Sequence, residues 1–396
     1  MSFTRDVAIV GGCGHVGLPL GLAFADRGLS VALYDIDEEA VREVAEGKMP
    51  FAEPGAQRIL ERVIGQNLEV TSDPHVLRTA EAVVVVIGTP LDEHLNPDPS
   101  AVPRVIEALK DDLVDGQLLV LRSTTYPGVT QLVEQLIARL GLDINVAFCP
   151  ERIAEGQAMK ELFELPQLVS GRTEEAAARA EKLFGMLTHE IIRLLPEEAE
   201  LAKLFTNTWR YAKFAMANQL YIIANDFGLD FERIRSALAH GYPRAADMPR
   251  AGFAAGPCLL KDTMQLAAFN NNNFVLGHAS MMVNEGLPLY VVDRVAKHYD
   301  LQTMTVGILG MAFKAESDDT RSSLSYKLKR ILLFRAREVL YTDPYVRSDR
   351  DLLPLEEVVL RSDLLIIGAP HRRYADLRID KPVIDIWGLR KDAVRV

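Results

Sequence analysis

Cysteine is scarce in this chain. Its 396 residues hold three, Cys13, Cys149 and Cys258. An odd, scattered set gives no disulfide framework, so a reducing compartment is expected. Long apolar runs are also missing. The longest, Ala82 to Ile87, falls far short of the roughly 20 residues that span a bilayer. The first residues, Met-Ser-Phe-Thr-Arg, lead straight into a strand without the charged and apolar regions of a leader. Basic charge is in deficit, with 44 Lys and Arg against 55 Asp and Glu, a net charge of -11. Non-specific nucleic-acid binding needs the opposite balance, although a locally basic pocket can still take a small anion. The expectation is a cytoplasmic protein with no nucleic-acid or membrane partner.

The composition that remains is ordinary for a globular protein, with 48% hydrophobic and 25% charged residues. The length exceeds what one core supports and predicts two or three domains. Short apolar β-type runs at 6–10, 31–35, 82–88, 117–124 and 145–150 alternate with helical stretches, the first from about Val16 to Arg27. That alternation predicts a parallel sheet with helices on both faces. Pro196 followed by Glu197 and Glu198 signals a helix start. No Gly or Pro follows until about Asp226, so one helix of roughly 45 Å is expected. More helices follow, broken by the Gly/Pro/Ala stretch from His240 to Cys258 and by the loop at 269–274. Strand texture returns at 305–313, 338–344, 363–370 and 382–388. The expected architecture is α/β, with two parallel-sheet domains joined by a helical middle carrying one long helix. The boundaries are 1–195, 196–300 and 301–396.

Residues 12–17 read Gly-Cys-Gly-His-Val-Gly, a G-x-G-x-x-G spacing between a strand and a helix. Gly12 allows the tight turn, Gly14 lets backbone approach a pyrophosphate, and Gly17 lets helix and strand pack closely. The anion sits at the helix N-terminus, with His15 and Val16 in the same loop. The His15 side chain reads as a packing or surface group. Asp35, ending the second strand, is the expected ligand of the NAD ribose and would repel the extra phosphate of NADP. A glycine-rich packing turn without cofactor shares the spacing, but the strand, helix and acid together favour the Rossmann-like reading.

Residues 256–263 read Gly-Pro-Cys-Leu-Leu-Lys-Asp-Thr. A free cysteine is usually a small buried hydrophobe, and Cys13 and Cys149 fit that description. Cys258 follows a Gly-bearing turn and precedes Lys261 and Asp262, a setting that favours thiolate and permits nucleophilic catalysis. Many such settings are nevertheless inert.

The chain resembles the UDP-glucose/GDP-mannose dehydrogenase family over nearly all its length. The cysteine loop is similar to that family's G-x-C-[FL]-P-K-D, with Leu260 in place of Pro and with Ala254 and Ala255 in a glycine-rich approach. VVIGTP (85–90) resembles its strand ending in Thr-Pro beside the cofactor, here Thr89 and Pro90. RSTTYPG (122–128) resembles its Ser-Thr-x-x-Pro-Gly turn, with Thr124 at the catalytic threonine position. CPERIAEG (149–156) resembles its P-E-x-x-x-E-G segment, with Glu151 and Glu155 four residues apart. A helical turn there would stack those two carboxylates. The segment from Glu200 through Lys203 and Asn207 to Arg210 resembles an E-x-x-K-x-x-x-N-x-x-R pattern. GMAFKAESDDTRSS (310–323) resembles the G-x-A-F-K…D-x-R-x-S stretch, in which Lys314 would approach sugar or nucleotide and Arg321 the cofactor.

The resemblance implies a four-electron oxidation of a nucleotide sugar at C6 with two NAD. Lys203 and Asn207 would stabilise the oxyanion, and Cys258 would carry a thiohemiacetal and then a thioester. Glu151, Thr124 and Asp262 would orient the hydrolytic water, Glu155 would assist proton transfer, and Lys261 would support cofactor and cysteine. Gly256, Arg244 and Arg250 are carried over as substrate-side residues. No metal is implied. A dimer built around the long helix is implied. The CLLKDT loop favours UDP- or dTDP-glucose, whereas the CPER segment resembles enzymes of N-acetylated sugars, so UDP-N-acetylhexosamine is the alternative. A two-electron dehydrogenase of the β-hydroxyacid type would need Lys203 and Asn207 but not Cys258 or a second α/β domain. A catalytically silent nucleotide-sugar or NAD-binding protein would need none of the chemistry.

Overall fold

A computed structural model describes residues 3–394. The chain divides between Phe205 and Thr206 into two compact units.

The first unit opens with β1 (Arg5–Val10), α1 (Gly17–Asp26), β2 (Val31–Tyr34), α2 (Glu38–Ala45), α3 (Ala56–Val63), β3 (Leu68–Thr71) and β4 (Ala80–Val85). It continues with α4 (Ala101–Ala108), β5 (Leu118–Leu121), α5 (Val129–Leu140), β6 (Asn145–Phe148), α6 (Ala158–Glu164), β7 (Gln167–Gly171), α7 (Glu174–Phe184) and β8 (Ile191–Leu194). Its sheet has the order β3-β2-β1-β4-β5-β6-β7-β8. Both faces are covered: Ile9, Leu33 and Val84 pack on one side, and Ala8, Val83 and Leu119 on the other. Continuous burial on two faces is why these strands read as unbroken apolar runs. β1 lies between β2 and β4, so the connections after β1 and β4 leave from a topological switch point. One pairing departs from the expected parallel arrangement, because β7 runs antiparallel to β6.

The helix α8 (Pro196–Asp226) runs unbroken for 31 residues. In the second unit follow α9 (Phe231–Ala239), α10 (Leu259–Phe269) and α11 (Val275–Ala296), then β9 (Thr305–Leu309), α12 (Leu324–Leu332), β10 (Glu338–Thr342), α13 (Leu355–Arg361), β11 (Leu364–Ile367) and β12 (Val383–Ile384). The asparagine run between α10 and α11 forms their connection, with Asn271 and Asn272 at positive φ, a conformation asparagine tolerates. The second sheet is parallel with the order β10-β9-β11-β12. Val306, Ile308 and Ile366 pack on one face with Val291 and Val295 of α11, and Leu309, Leu365 and Val358 on the other. β9 lies between β10 and β11, which again places a switch point where the glycine-turned loop begins.

Candidate active site

In the first unit the glycine loop closes on itself. The positive φ falls on Gly11 at +77°, one residue before the fingerprint, and not on Gly12. A Cβ at Gly12 would lie 2.7 Å from Leu33 Cβ, and one at Gly17 would lie 2.1 Å from the Gly11 carbonyl oxygen. Both glycines are therefore required by the chain's own packing. Gly14 differs. A Cβ there would meet only the Gly11 oxygen at 3.7 Å, an ordinary contact, so the protein itself leaves that space open. α1 begins with no side-chain cap and no acidic residue in its first turn. The positive end of its dipole suits a pyrophosphate. Asp35 sits just beyond β2 and accepts from the Cys13 amide (2.9 Å) and the Asp37 amide (3.1 Å), which fixes its carboxylate beside the loop. His15 stacks on Phe51 at 4.1 Å between ring centroids. An open glycine position, an uncapped helix start and an anchored acid fit a dinucleotide.

The turns after β4 and β5 are tied together. The Ile87 amide donates to Ser123 Oγ (2.7 Å), and Thr89 Oγ1 donates to the Thr124 carbonyl (2.7 Å). Thr124 is half-buried, and Pro90 is exposed. The 151–156 segment is irregular, so the helical turn expected to stack Glu151 and Glu155 does not form. Glu151 instead turns inward. Its Oε2 accepts from Arg122 Nε (3.0 Å) and Nη2 (2.5 Å), and its Oε1 accepts from the Arg152 and Ile153 amides (2.7 and 3.0 Å). A carboxylate has about four acceptor positions, and all are taken. Arg122 is 1% exposed, stacks over Phe184 and also donates to the Cys149 carbonyl and Gln167. Glu155 is half-buried. The next residue, Gly156, donates its amide to Glu53, which also holds the first amide of α6.

Two residues with supporting roles were not singled out from sequence. Arg122 lay inside a quoted motif, and only the fold shows that β5, β6 and β7 converge on it. Glu200 opened the α8 pattern without a role. It is buried and accepts from the amides of Gly128 (2.6 Å) and Thr130 (2.8 Å) and the Thr130 hydroxyl (2.6 Å). Burial raises its carboxyl above the usual range against the pull of those bonds. The contacts fasten the start of α8, one turn before Lys203, to the Ser-Thr-x-x-Pro-Gly turn. Lys203 and Asn207 are one further turn apart and both buried.

In the second unit Cys258 occupies the N-cap of α10 and is exposed. The other two thiols are buried. Desolvation, with Asp35 and Asp37 adding to it, pushes Cys13 up to about 12. Desolvation also pushes Cys149 to about 12, only partly offset by Arg122. Asp262 is wholly buried. One oxygen accepts from Asn207 Nδ2 (2.5 Å), and the other faces Lys261 Nζ at 2.6 Å. Asn207, Asp262, Lys261 and Cys258 are thereby brought together where α8 and α10 pack. Gly256, at φ +102°, lies on the Phe313 ring, where a Cβ would come within 2.7 Å. Its amide donates to the Ser322 carbonyl (3.5 Å). The cysteine loop therefore rests on the 310–323 loop that carries Lys314 and Arg321. Leu260, the departure from the family's proline, lines a cleft of about 590 Å³ with Thr320, Ser322 and Lys327. Arg321 forks onto Asp319 within its own loop (2.6–3.0 Å). Lys314 Nζ sits 5.4 Å from the Phe313 ring centre. Arg250 pairs with Glu232 of α9 (3.3 Å), and Arg244 stacks over exposed Tyr242, so neither joins the cysteine cluster.

Among the described residues no helix is long and apolar enough to cross a membrane. The chain matches the NAD binding domain of the UDP-glucose/GDP-mannose dehydrogenase family over residues 5–188, its central domain over 197–285 and its UDP binding domain over 307–390. It is 31% identical over 376 residues to UDP-N-acetyl-D-mannosamine dehydrogenase of Pyrococcus horikoshii, covering 92% of this chain and 89% of that one. The solved structure of the UDP-D-ManNAc dehydrogenase from Pyrococcus horikoshii aligns with a TM-score of 0.91 at 29% identity, covering 98% and 96% of the two chains. A UDP-glucose dehydrogenase from Pyrobaculum islandicum aligns at 0.89 with 25% identity, covering 98% and 97%. The chain belongs to the UDP-glucose/GDP-mannose dehydrogenase family and is an NAD-dependent nucleotide-sugar dehydrogenase.

Proposed function

We propose that the enzyme oxidises the C6 alcohol of a UDP-N-acetylhexosamine, N-acetylmannosamine first, to the carboxylate. The observation that carries the chemistry is Cys258, an exposed thiol at a helix N-cap beside the Asn207–Asp262–Lys261 cluster. The sugar assignment rests on the CPER segment and on relatives named as UDP-N-acetyl-D-mannosamine dehydrogenases. It replaces the expectation of glucose drawn from the cysteine loop. That loop acts at C6, which glucose and N-acetylhexosamines share, so its sequence carries little information about the substituent at C2.

The glycine loop and Asp35 would hold two NAD molecules in succession, each of which would accept one hydride. Lys203 and Asn207 hold the developing oxyanion as the alcohol loses a hydride and a proton. The Cys258 thiolate then adds to the aldehyde carbon, and the oxygen takes a proton, giving a thiohemiacetal. Loss of a second hydride and that proton leaves a thioester. Water adds, the carbon–sulfur bond breaks and the thiolate returns, so the aldehyde never leaves the protein. Asp262 retains acceptor capacity and is assigned as the base; Thr124 and Glu155 keep the roles that the family resemblance implies for them. Glu151, already filled by four donors, supports this step by holding the 149–156 backbone. A homodimer through α8 is part of the reading. Trp209, Met216 and Ile223 recur every seven residues and stand exposed, a stripe suited to a second copy.

The test is NADH yield at completion with limiting UDP-N-acetylmannosamine and excess NAD. About two NADH per sugar supports the thioester route. One NADH per sugar, or undiminished carboxylate formation by Cys258→Ala, sinks it. Turnover of UDP-glucose alone would return the sugar assignment to glucose.

A further inference from the structure

The two sheets share a device. In the first, Asp35 beyond β2 holds the turn after β1. In the second, Asp343 beyond β10 holds the turn after β9, its Oδ2 accepting from the Met311 (2.7 Å) and Ala312 (3.0 Å) amides. Its Oδ1 accepts from the amides of Tyr345 (2.8 Å) and Val346 (3.1 Å). The second sheet adds a residue with no counterpart in the first. His371 follows β11 and has no exposed surface. Its Nδ1 accepts from the Glu316 amide (2.9 Å), which leaves Nε2 carrying the proton and donating to Asp343 Oδ2 (3.0 Å). A buried imidazole is tolerated when both nitrogens are satisfied, and here one ring joins an acid to a loop.

Glu316 is the point that needs holding. It is a non-glycine residue at φ +55°, a conformation of order 1 kcal/mol above the ordinary ones that persists only when its surroundings enforce it. Three bonds enforce it. The amide reaches His371, Oε1 accepts from the Arg372 amide (2.9 Å), and Oε2 accepts from the Tyr345 hydroxyl (2.8 Å). Between the Ala312 and Glu316 anchors lie only Phe313, Lys314 and Ala315. Both anchors converge on the His371–Asp343 pair. Phe313 in turn supports Gly256, two residues before Cys258.

We propose that His371 is a positioning residue for nucleotide-sugar recognition, clamping the Lys314 loop by pairing Asp343 with the Glu316 amide. This rests on the reading of the 310–323 loop as the nucleotide-sugar side. The two ring nitrogens can be separated by substitution. His371→Asn leaves an oxygen near Nδ1 that can accept from Glu316 but loses Asp343. His371→Gln places an amide near Nε2 that can donate to Asp343 but leaves nothing for Glu316. Losing one buried hydrogen bond corresponds to roughly a tenfold change. His371→Gln is expected to raise the KM for UDP-N-acetylmannosamine and the Kd for UDP about tenfold, with kcat and the NAD KM within about twofold. His371→Asn is expected to raise them less. Tyr345→Phe removes a single bond at the rim and is expected to raise them about threefold. An unchanged UDP Kd in His371→Gln overturns the proposal. If that variant does not fold, Tyr345→Phe decides, and an unchanged KM and Kd there overturn it. Equal rises in the NAD and nucleotide-sugar KM would also count against it, because general loosening would explain them. UDP binding needs no turnover, so wild-type protein that binds UDP but oxidises no sugar refutes the proposed function alone. Wild-type protein that does not bind UDP refutes both.

Discussion

Three cysteines occupy three environments, and their chemistry follows from burial. Cys13 and Cys149 are enclosed, and the cost of burying a thiolate pushes both up to about 12. At neutral pH they are packing groups. Cys258 stands exposed at a helix N-cap, where free N–H groups favour an anion. A thiol reagent at pH 7 should therefore modify one cysteine quickly in the folded protein and three after denaturation. The fast site should vanish in Cys258→Ser, and a fast thiol surviving in that variant would contradict this account. The glycines divide by the same logic. Gly17→Ala puts a methyl group into the Gly11 carbonyl oxygen, so it should lower the melting temperature by several degrees, as a strain of about 2 kcal/mol would. Gly14→Ala meets nothing closer than 3.7 Å. Its stability should stay within about 0.5 kcal/mol of wild type, while its KM for NAD rises about tenfold or more, because the pyrophosphate needs that space. Loss of stability without a change in NAD affinity would assign Gly14 to packing.

At the scale of elements, legibility tracked how strongly each segment was determined locally. Pro196 at a first helical position, two following acids and the absence of breakers defined α8 from Pro196 to Asp226, and the structure has the same bounds. β3, β7 and β8 went unseen. They are short strands at or beside the edges of the sheet, and β3 and β8 are only partly buried, so no apolar run marked those two. The spacing of Glu151 and Glu155 suggested a helical turn. Burial of Arg122 won, because the ion pair and the Glu151–amide bonds need an irregular backbone. The cysteine loop, the glycine loop and the Lys203–Asn207 pair were legible because each is contiguous. Glu200, Arg122 and His371 were not, since their partners lie 27 or more residues away. The α8 surface carries a prediction at this scale. Trp209, Met216 and Ile223 are 64%, 61% and 49% exposed, an unusual outlay of apolar surface for a helix facing water. If a second copy covers them, Trp209→Glu with Met216→Glu should convert a dimer to monomer by light scattering, with the melting temperature falling as the interface is lost. A wild-type monomer, or a double variant that remains dimeric, would remove α8 from the interface.

For the whole molecule, the match to the NAD binding domain lies before the division between Phe205 and Thr206 and the match to the UDP binding domain lies after it. The glycine loop, Asp35 and the Thr89–Thr124 tie lie in the first unit; the Lys314 loop, Asp343 and His371 lie in the second. Each unit has its own sheet and core, as independent folding requires. NAD and UDP should therefore protect different parts of the chain. A ligand at about 100 times its Kd stabilises the state it binds by about 2.7 kcal/mol, worth roughly 5–10 °C for a unit of this size. Hydrogen exchange with NAD alone should slow the amides of 11–18 and 35–37. With UDP alone it should slow those of 311–323 and 371–372. Asp343 offers an independent mark for the second unit. Burial works to raise its carboxyl, but the His371 hydrogen bond and the amides of Ala312 and Tyr345 outweigh it and hold it below the usual value. Such a group contributes stability above its unfolded value of about 3.9, and the contribution is lost as pH falls through the lower folded value. Asp343→Asn brings a donor to face the Met311 and Ala312 amides. At pH 7 it should accelerate exchange in 305–323 and 338–346 while leaving 5–17 unchanged. As pH falls below about 4 the stability difference from wild type should shrink, first as the unfolded carboxyl takes up a proton and fully only below the lower folded value, where the folded carboxylate is neutral too. If NAD and UDP each protect both sets of amides equally, or if Asp343→Asn loosens the first sheet as much as the second, the two units unfold as one, and ligand chemistry does not divide along the chain.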